Sequence, residues 1–140
     1  MSQKSWLRHS SLWVPPLVYV VVIFHLSSES NPLPELTSIV WDKALHAIEY
    51  AGLALLVGRA FTGEGLGWAA SSALAVLLAS AYGASDEWHQ LFTPWRDPNV
   101  FDWMADTLGA GVGVAVYWLS EKCRGHRAVP RRIHVGATRN

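Results

Sequence analysis

The feature that most constrains this chain is the placement of its charged residues, which avoid three long stretches. No Asp, Glu, Lys or Arg occurs in residues 9–28, 65–85 or 107–120. Only 16% of the 140 residues are charged, against about 25% in a typical soluble domain. Apolar runs of this length cannot all be buried within so small a soluble domain. The pattern therefore predicts an integral membrane protein.

The apolar stretches divide into four predicted membrane helices. A hydrocarbon core of about 30 Å needs roughly 20 helical residues, and four segments supply them, at about 12–28, 42–61, 66–85 and 101–119. We therefore predict an all-α membrane protein, a four-helix transmembrane bundle over residues 11–119. A short N-terminal segment at 1–10 precedes it, and a basic, solvated tail at 120–140 follows.

The lysines and arginines indicate which side of the membrane each loop faces. If both termini are cytoplasmic, Lys43 and Arg96 are the two basic residues outside, and the other nine of the 11 lie inside. Cytoplasmic loops are enriched in Lys and Arg, so this asymmetry predicts that both termini are cytoplasmic. A cleaved signal peptide is disfavoured, because Pro15 and Pro16 interrupt its apolar region and no small-residue cleavage site follows. The eight tryptophans fall near the predicted interfaces, as expected for aromatic belts.

Polar residues are predicted to converge at the outer face, where helix two begins, helix three ends and helix four begins. They recur at helical spacing: Asp42, Lys43, His46, Glu49 and Tyr50, then Asp86, Glu87 and Gln90, then Asp102 and Asp106. A charge at the centre of a membrane helix costs at least about 2.5 to 3.5 kcal/mol, so such residues usually face one another. We predict one outward-facing polar cluster.

These residues follow a pattern that resembles the VanZ-like family of small bacterial membrane proteins. The pattern covers residues 27–119 and reads Asp42-Lys43-x-x-His46-x-x-x-Tyr50, Asp86-Glu87-x-x-Gln90, Arg96, then Asp102-x-x-x-Asp106-x-x-Gly109-x-x-x-Gly113. Asp106 stands where many members carry Asn. The resemblance implies a multi-pass protein of the bacterial inner (cytoplasmic) membrane and a link to resistance to the glycopeptide teicoplanin, with no established reaction.

Binding of a cell-envelope ligand is the function that the polar cluster favours. Lys43 and Arg96 would contact phosphate or carboxylate groups of a lipid headgroup or a glycopeptide-like molecule. The ligand-binding candidates are Asp42, Lys43, His46, Tyr50, Asp86, Glu87, Gln90, Arg96, Asp102 and Asp106. Two alternatives stay open: a purely structural scaffold whose ion pairs join short helices, and an enzyme acting on a lipid-linked substrate.

For the enzyme alternative, His46 is the candidate catalytic base, oriented by Asp42 or Glu49. A metal bound by some of His46, Glu49, Asp86, Asp102 and Asp106 is chemically conceivable, but the spacing matches no known metal motif. We therefore predict no metal site and no cofactor. The single cysteine, Cys123, excludes an intrachain disulfide, and nothing indicates nucleic-acid binding.

The glycines of helix four predict close packing against another helix. Gly109 and Gly113 form a small-x-x-x-small motif, which lets two helix backbones approach closely. The motif favours a contact within the chain, and homo-oligomerisation through these glycines is the alternative. The lipid bilayer is the other expected partner.

Overall fold

A computed structural model describes residues 3–29, 41–94, 96 and 98–127 of the chain. All regular secondary structure in these residues is helical. The four helices are α1 (Gln3–Ser27), α2 (Asp42–Gly63), α3 (Trp68–Gln90) and α4 (Val100–Arg127). Each overlaps one of the four helices predicted from the sequence, and three of them extend at one end beyond the predicted bounds by five residues or more.

Helix α1 begins at Gln3, well before the expected start near residue 12, and it passes through Pro15 and Pro16. A proline lacks the N–H that would bond the carbonyl four residues earlier. For Pro15 that carbonyl belongs to Ser11, and it accepts a hydrogen bond from Arg59 Nη1 of α2 at 3.3 Å. A side chain of the neighbouring helix thus replaces a bond that the proline removes.

The N-terminal turns of α1 are held against the turn between α2 and α3. Arg8 donates a hydrogen bond to the Gly63 carbonyl. His9 Nδ1 lies 2.7 Å from Glu64 Oε1, which also accepts a hydrogen bond from Trp13 Nε1 at 3.2 Å. The hydrogen bond with His9 is the main reason that the pKa of Glu64 lies below its ordinary value of 4.5. These contacts explain why the helix includes residues predicted to be a separate N-terminal segment.

Helices α2 and α3 are joined by a short turn. Gly65 has a φ of +97°, a conformation that favours glycine. Helix α3 ends at Gln90 rather than near residue 85. Its polar residues Asp86 and Glu87 therefore lie within its last turns.

Helix α4 starts after Asn99, whose Oδ1 accepts a hydrogen bond from the Phe101 backbone N–H at 3.0 Å. An asparagine at this position satisfies an amide that has no partner within the helix. The helix continues to Arg127, well past the predicted end at residue 119. It thus includes the first part of the tail predicted at 120–140, and the rest of that tail lies outside the described residues.

Helix α2 packs against all three other helices, and its most extensive contact is with α4. A Cβ atom added at Gly109 would lie 2.7 Å from Ala47 Cα, and one at Gly113 would lie 2.9 Å from Ala51 Cα. Both distances are too short for real side chains. The two glycines are therefore in close contact with α2 of the same chain, as the small-residue motif favoured.

Much of the outer surface of the helices is apolar. Val21 on α1 is 65% exposed, Leu77 on α3 is 64% exposed and Leu108 on α4 is 69% exposed. Large exposed apolar surfaces are unusual in water and are expected where lipid is the solvent. By length and composition, three helices among the described residues can cross a membrane, at Ser5–Ser27, Asp42–Gly63 and Trp68–Gln90. Helix α4 has a lower apolar content because its membrane-length segment includes three glycines and two aspartates.

Candidate functional site

The start of α2, the end of α3 and the start of α4 meet at one end of the molecule. Six of the predicted site residues are buried there: His46, Asp86, Glu87, Gln90, Asp102 and Asp106. They come from segments as far as 60 residues apart in sequence. The structure therefore brings together polar side chains that the spacing alone could only assign to helix faces.

One ion pair joins α2 to α4 at the edge of this region. Lys43 Nζ donates a hydrogen bond to Asp102 Oδ1. The Asp102 side chain is almost fully buried, whereas 23% of the Lys43 side chain stays exposed. The pair neutralises Asp102 and leaves part of the Lys43 side chain exposed.

A second polar contact joins the same two helices deeper in the structure. His46 Nδ1 lies 3.0 Å from Asp106 Oδ1, and the Asp106 side chain is completely buried. The sequence predicted that Asp42 or Glu49 would orient this imidazole. The hydrogen-bonding partner is instead Asp106, because His46 projects across the helix interface rather than along its own helix.

Helix α3 contributes a chain of hydrogen bonds that reaches α1. Gln90 Nε2 donates to Asp86 Oδ2 and to Ser27 Oγ, both at 3.3 Å. Ser27 was not predicted as a site residue, since a serine at the end of an apolar helix carries no distinguishing signal. Asp86 and Gln90 thus tie the end of α1 to the end of α3.

Glu87 is connected to the start of α4. Its Oε2 accepts a hydrogen bond from the Asn99 backbone N–H at 2.7 Å, while its Oε1 is buried without a hydrogen-bonding partner. Asn99 was also missed as a contributor, because a backbone donor is independent of side-chain type. One carboxylate oxygen of Glu87 is therefore available for another interaction.

The remaining predicted residues occupy different surroundings. Tyr50 is fully buried, and its hydroxyl has no hydrogen-bonding partner. Arg96 is half-buried, and its Nε has no hydrogen-bonding partner within the described part of the chain. Asp42 is exposed at the first position of α2. Tyr50 and Arg96 thus each have a buried polar atom whose hydrogen-bonding capacity is unused within the described residues.

Gly83 makes room for the carboxylate of Asp106. A Cβ atom at this position of α3 would lie 2.8 Å from Asp106 Oδ2. Any side chain would displace that carboxylate or move α3 away from α4. The sequence offered no reason to single out this glycine, since the facing residue lies on another helix.

Two groups of acidic and imidazole side chains have the geometry to bind a metal ion. In each, three ligand atoms lie within 4.8 Å of one another. One group is Asp42, His46 and Asp102, and the other is His46, Glu87 and Asp106. Neither follows a motif along the chain, because each combines residues from different helices.

An apolar groove lies beside the polar cluster, between the first turns of α2 and α4. Its volume is about 460 Å³. The lining residues are Trp41, Lys43, Ala44, Ala47, Phe101, Met104, Ala105 and Leu108. Lys43 is the only charged residue among them, and its Nζ is bonded to Asp102.

Comparison with known proteins identifies one family. The family model described as VanZ/LLP1 matches residues 2–121. No curated protein and no solved structure gives a significant match to the chain.

Proposed function

This chain belongs to the VanZ/LLP1 family, and from that premise we propose that it is a four-span protein of the bacterial cytoplasmic membrane that binds a phospholipid at its outer face. The headgroup would contact the polar cluster, and an acyl chain would occupy the groove between α2 and α4. The observation that carries this proposal is the apolar groove with Lys43 beside it.

The membrane topology that we propose has both termini in the cytoplasm. Lys43 and Arg96 would be the two basic residues outside, with the other nine inside. This asymmetry supports the orientation. Alkaline phosphatase fused after residue 127 should be inactive, and green fluorescent protein at the same position should be fluorescent. The reverse result would contradict the orientation and place the polar cluster in the cytoplasmic leaflet.

The chemistry at the mouth of the groove favours a zwitterionic headgroup. Lys43 has three N–H donors, of which one is used by Asp102, so others can reach a phosphate. Asp42 is exposed next to it and can attract an ammonium group. A headgroup that carries a phosphate and an amine, as in phosphatidylethanolamine, matches both charges.

Native mass spectrometry of the purified chain with added phospholipids tests this proposal. The wild-type protein should retain phosphatidylethanolamine more strongly than phosphatidylglycerol. Lys43→Gln should weaken retention of both lipids by about tenfold, the value of one hydrogen bond to a charged group. Asp42→Asn should reduce the preference for phosphatidylethanolamine.

Two further variants separate lipid binding from a general loss of charge or structure. Ala44→Leu fills the groove and should weaken both lipids equally. Arg124→Gln removes a cation whose partner is the exposed Glu121, far from the groove, and should change nothing. Equal lipid retention by the wild type and Lys43→Gln would overturn the proposal. Retention of teicoplanin in place of either lipid would replace the lipid by a glycopeptide as the ligand.

A membrane-embedded enzyme is a second candidate, and one contact favours it. A carboxylate that holds one nitrogen of a histidine fixes the imidazole in the orientation that a general base requires, and Asp106 is placed to do this for His46. If this holds, His46→Gln should abolish turnover of a lipid-linked substrate while lipid retention is unchanged. Wild-type membranes that show no turnover of envelope lipids beyond the His46→Gln background would exclude this role.

The cellular consequence that we propose is altered sensitivity to cell-envelope stress, including teicoplanin. Expression of the wild-type chain in a sensitive bacterium should change the inhibitory concentration of teicoplanin. Lys43→Gln should abolish this change at equal protein abundance. A purely structural scaffold would instead lose its effect only in proportion to the amount of protein in the membrane.

A further inference from the structure

Three buried side chains from three different helices converge next to the ion pair of Lys43 and Asp102. His46 lies on α2, Glu87 on α3 and Asp106 on α4, and their ligand atoms lie within 4.8 Å of one another. His46 is 8% exposed, Glu87 is 9% exposed and Asp106 is fully buried. Groups that could bind a single ion are therefore already gathered in one place.

Both carboxylates in this group have an unused oxygen. Asp106 accepts from His46 through Oδ1, and Glu87 accepts from the Asn99 backbone through Oε2. Asp106 Oδ2 and Glu87 Oε1 are buried and have no hydrogen-bonding partner among the residues that the structure describes. Buried polar atoms are almost always paired, so two orphaned oxygens in one group indicate a ligand.

The two carboxylates of the group also favour the binding of a cation. Among the described residues, Glu87 forms no ion pair, and His46 is the only basic partner of Asp106. Lys43 is engaged by Asp102. Two carboxylates buried together are costly unless opposite charge compensates them. A divalent ion would supply two positive charges, take the place of the proton between His46 Nδ1 and Asp106, and find Glu87 Oε1 free to bind it.

We propose that His46, Glu87 and Asp106 bind one divalent transition-metal ion, for which Zn²⁺ is the best match. Imidazole nitrogen selects zinc and similar ions over calcium and magnesium, and carboxylate oxygens complete a common zinc ligand set. Three protein ligands leave at least one position on the ion open for water or another ligand.

The alternative group, Asp42, His46 and Asp102, is a weaker candidate. Asp102 already has a cation, Lys43, and Asp42 is exposed to solvent. Neither aspartate has a buried orphaned oxygen. The metal therefore belongs with Glu87 and Asp106, although spacing along the chain predicted no metal site.

This inference does not depend on lipid binding, and the two can fail separately. The full-length chain, purified in detergent and stripped with EDTA, is titrated with Zn²⁺ against a chromophoric chelator, and bound metal is measured by mass spectrometry. We expect about one Zn²⁺ per chain, much weaker binding of Ca²⁺, and a melting temperature raised by about 5 °C or more at saturating Zn²⁺.

Isosteric variants identify the ligands. Asp106→Asn and Glu87→Gln should each lower Zn²⁺ affinity by at least about tenfold. Glu64→Gln removes a carboxylate at the opposite end of the molecule and should bind Zn²⁺ as the wild type does. Lys43→Gln should lose lipid and keep the metal, which separates the two sites.

The Zn²⁺ stoichiometry of the wild-type chain tests the proposal even where a variant fails to fold. Less than stoichiometric Zn²⁺ in the wild type, or Ca²⁺ bound as tightly as Zn²⁺, would overturn the proposal. An unchanged Zn²⁺ affinity in folded Asp106→Asn would also overturn it. An equal loss of Zn²⁺ affinity in Glu64→Gln would do the same. If the wild type binds less than stoichiometric Zn²⁺, protonated carboxylic acids would account for the orphaned oxygens.

Discussion

His46 and Asp106 are 60 residues apart in sequence, yet His46 Nδ1 lies 3.0 Å from Asp106 Oδ1 at the buried interface of α2 and α4. The contact joins the two helices that pack most extensively. It lies next to the point where Gly109 of α4 contacts the backbone of Ala47 of α2. The polar cluster is therefore built on the most extensive helix contact in the described part of the chain.

The contact between His46 and Asp106 should contribute to stability through the hydrogen bond rather than the charge. In the presence of EDTA, Asp106→Asn keeps an oxygen acceptor of the same size and should change the free energy of unfolding by less than about 1 kcal/mol. Asp106→Leu leaves His46 buried without its partner and should cost about 1 to 3 kcal/mol. Thermal unfolding in detergent measures both, and equal stabilities of the two variants would contradict the assignment.

The glycines of α4 should differ sharply in their tolerance of a methyl group. Gly109→Ala places a Cβ against the Ala47 backbone and should destabilise the protein by about 1 to 3 kcal/mol. Gly111 has open space around it, so Gly111→Ala should be neutral or slightly stabilising. Membrane abundance and melting temperature of the pair test this. Comparable losses in both variants would argue against the intramolecular contact.

Tyr50→Phe should not destabilise the protein. The Tyr50 hydroxyl is buried without a partner, and such a group costs about 1 to 3 kcal/mol. Tyr82→Phe is the matched control, because the Tyr82 hydroxyl donates to the Val20 carbonyl at 2.9 Å. We expect Tyr82→Phe to lose about 1 kcal/mol. A large loss in Tyr50→Phe would reveal a partner for its hydroxyl.

Acid should loosen α1 from the turn between α2 and α3. Hydrogen bonding to His9 lowers the pKa of Glu64 in the folded protein, with help from Trp13 and the charge of Arg8. The carboxylate form is thus favoured by folding. Its contribution is present in full above pH 4.5, the ordinary pKa, and is lost as the pH falls through the lower, folded-state value.

Hydrogen exchange of the first two turns of α1, measured across this acidic range, should show the loss as reduced protection. Glu64→Gln should remove that pH dependence and leave the exchange of α3 unchanged. A wild-type profile that is flat below pH 4.5 would show that the contact does not depend on the charge of Glu64.

The sequence predicted the helices well because their apolar stretches are long and free of charge. Family membership, inferred from the polar motif, is confirmed by the match to the VanZ/LLP1 model. The helix ends were harder to predict. His9 in α1 and Glu87 in α3 look like flanking residues in the sequence, but contacts with other helices keep them within helical structure.

The pairing of side chains within the polar cluster was less predictable for a geometric reason. Helical periodicity assigns His46 and Asp106 to faces of their helices, but it does not specify how far each helix is rotated and shifted against its neighbour. Gly83 shows the same limit, since its importance comes from the carboxylate that it accommodates. Sequence spacing therefore assigns polar residues to helix faces but does not specify which side chains are in contact.

The proline pair of α1 fixes the depth at which that helix can lie. Pro15 leaves the Ser11 carbonyl without its helical donor, and Arg59 is the group that reaches it. Moving α1 along α2 by one turn, about 5.4 Å, would separate the two and leave the Ser11 carbonyl without this donor. Consequently α1 has one favourable position along the axis of α2. In that position Ser27, at the far end of α1, is within hydrogen-bonding distance of Gln90.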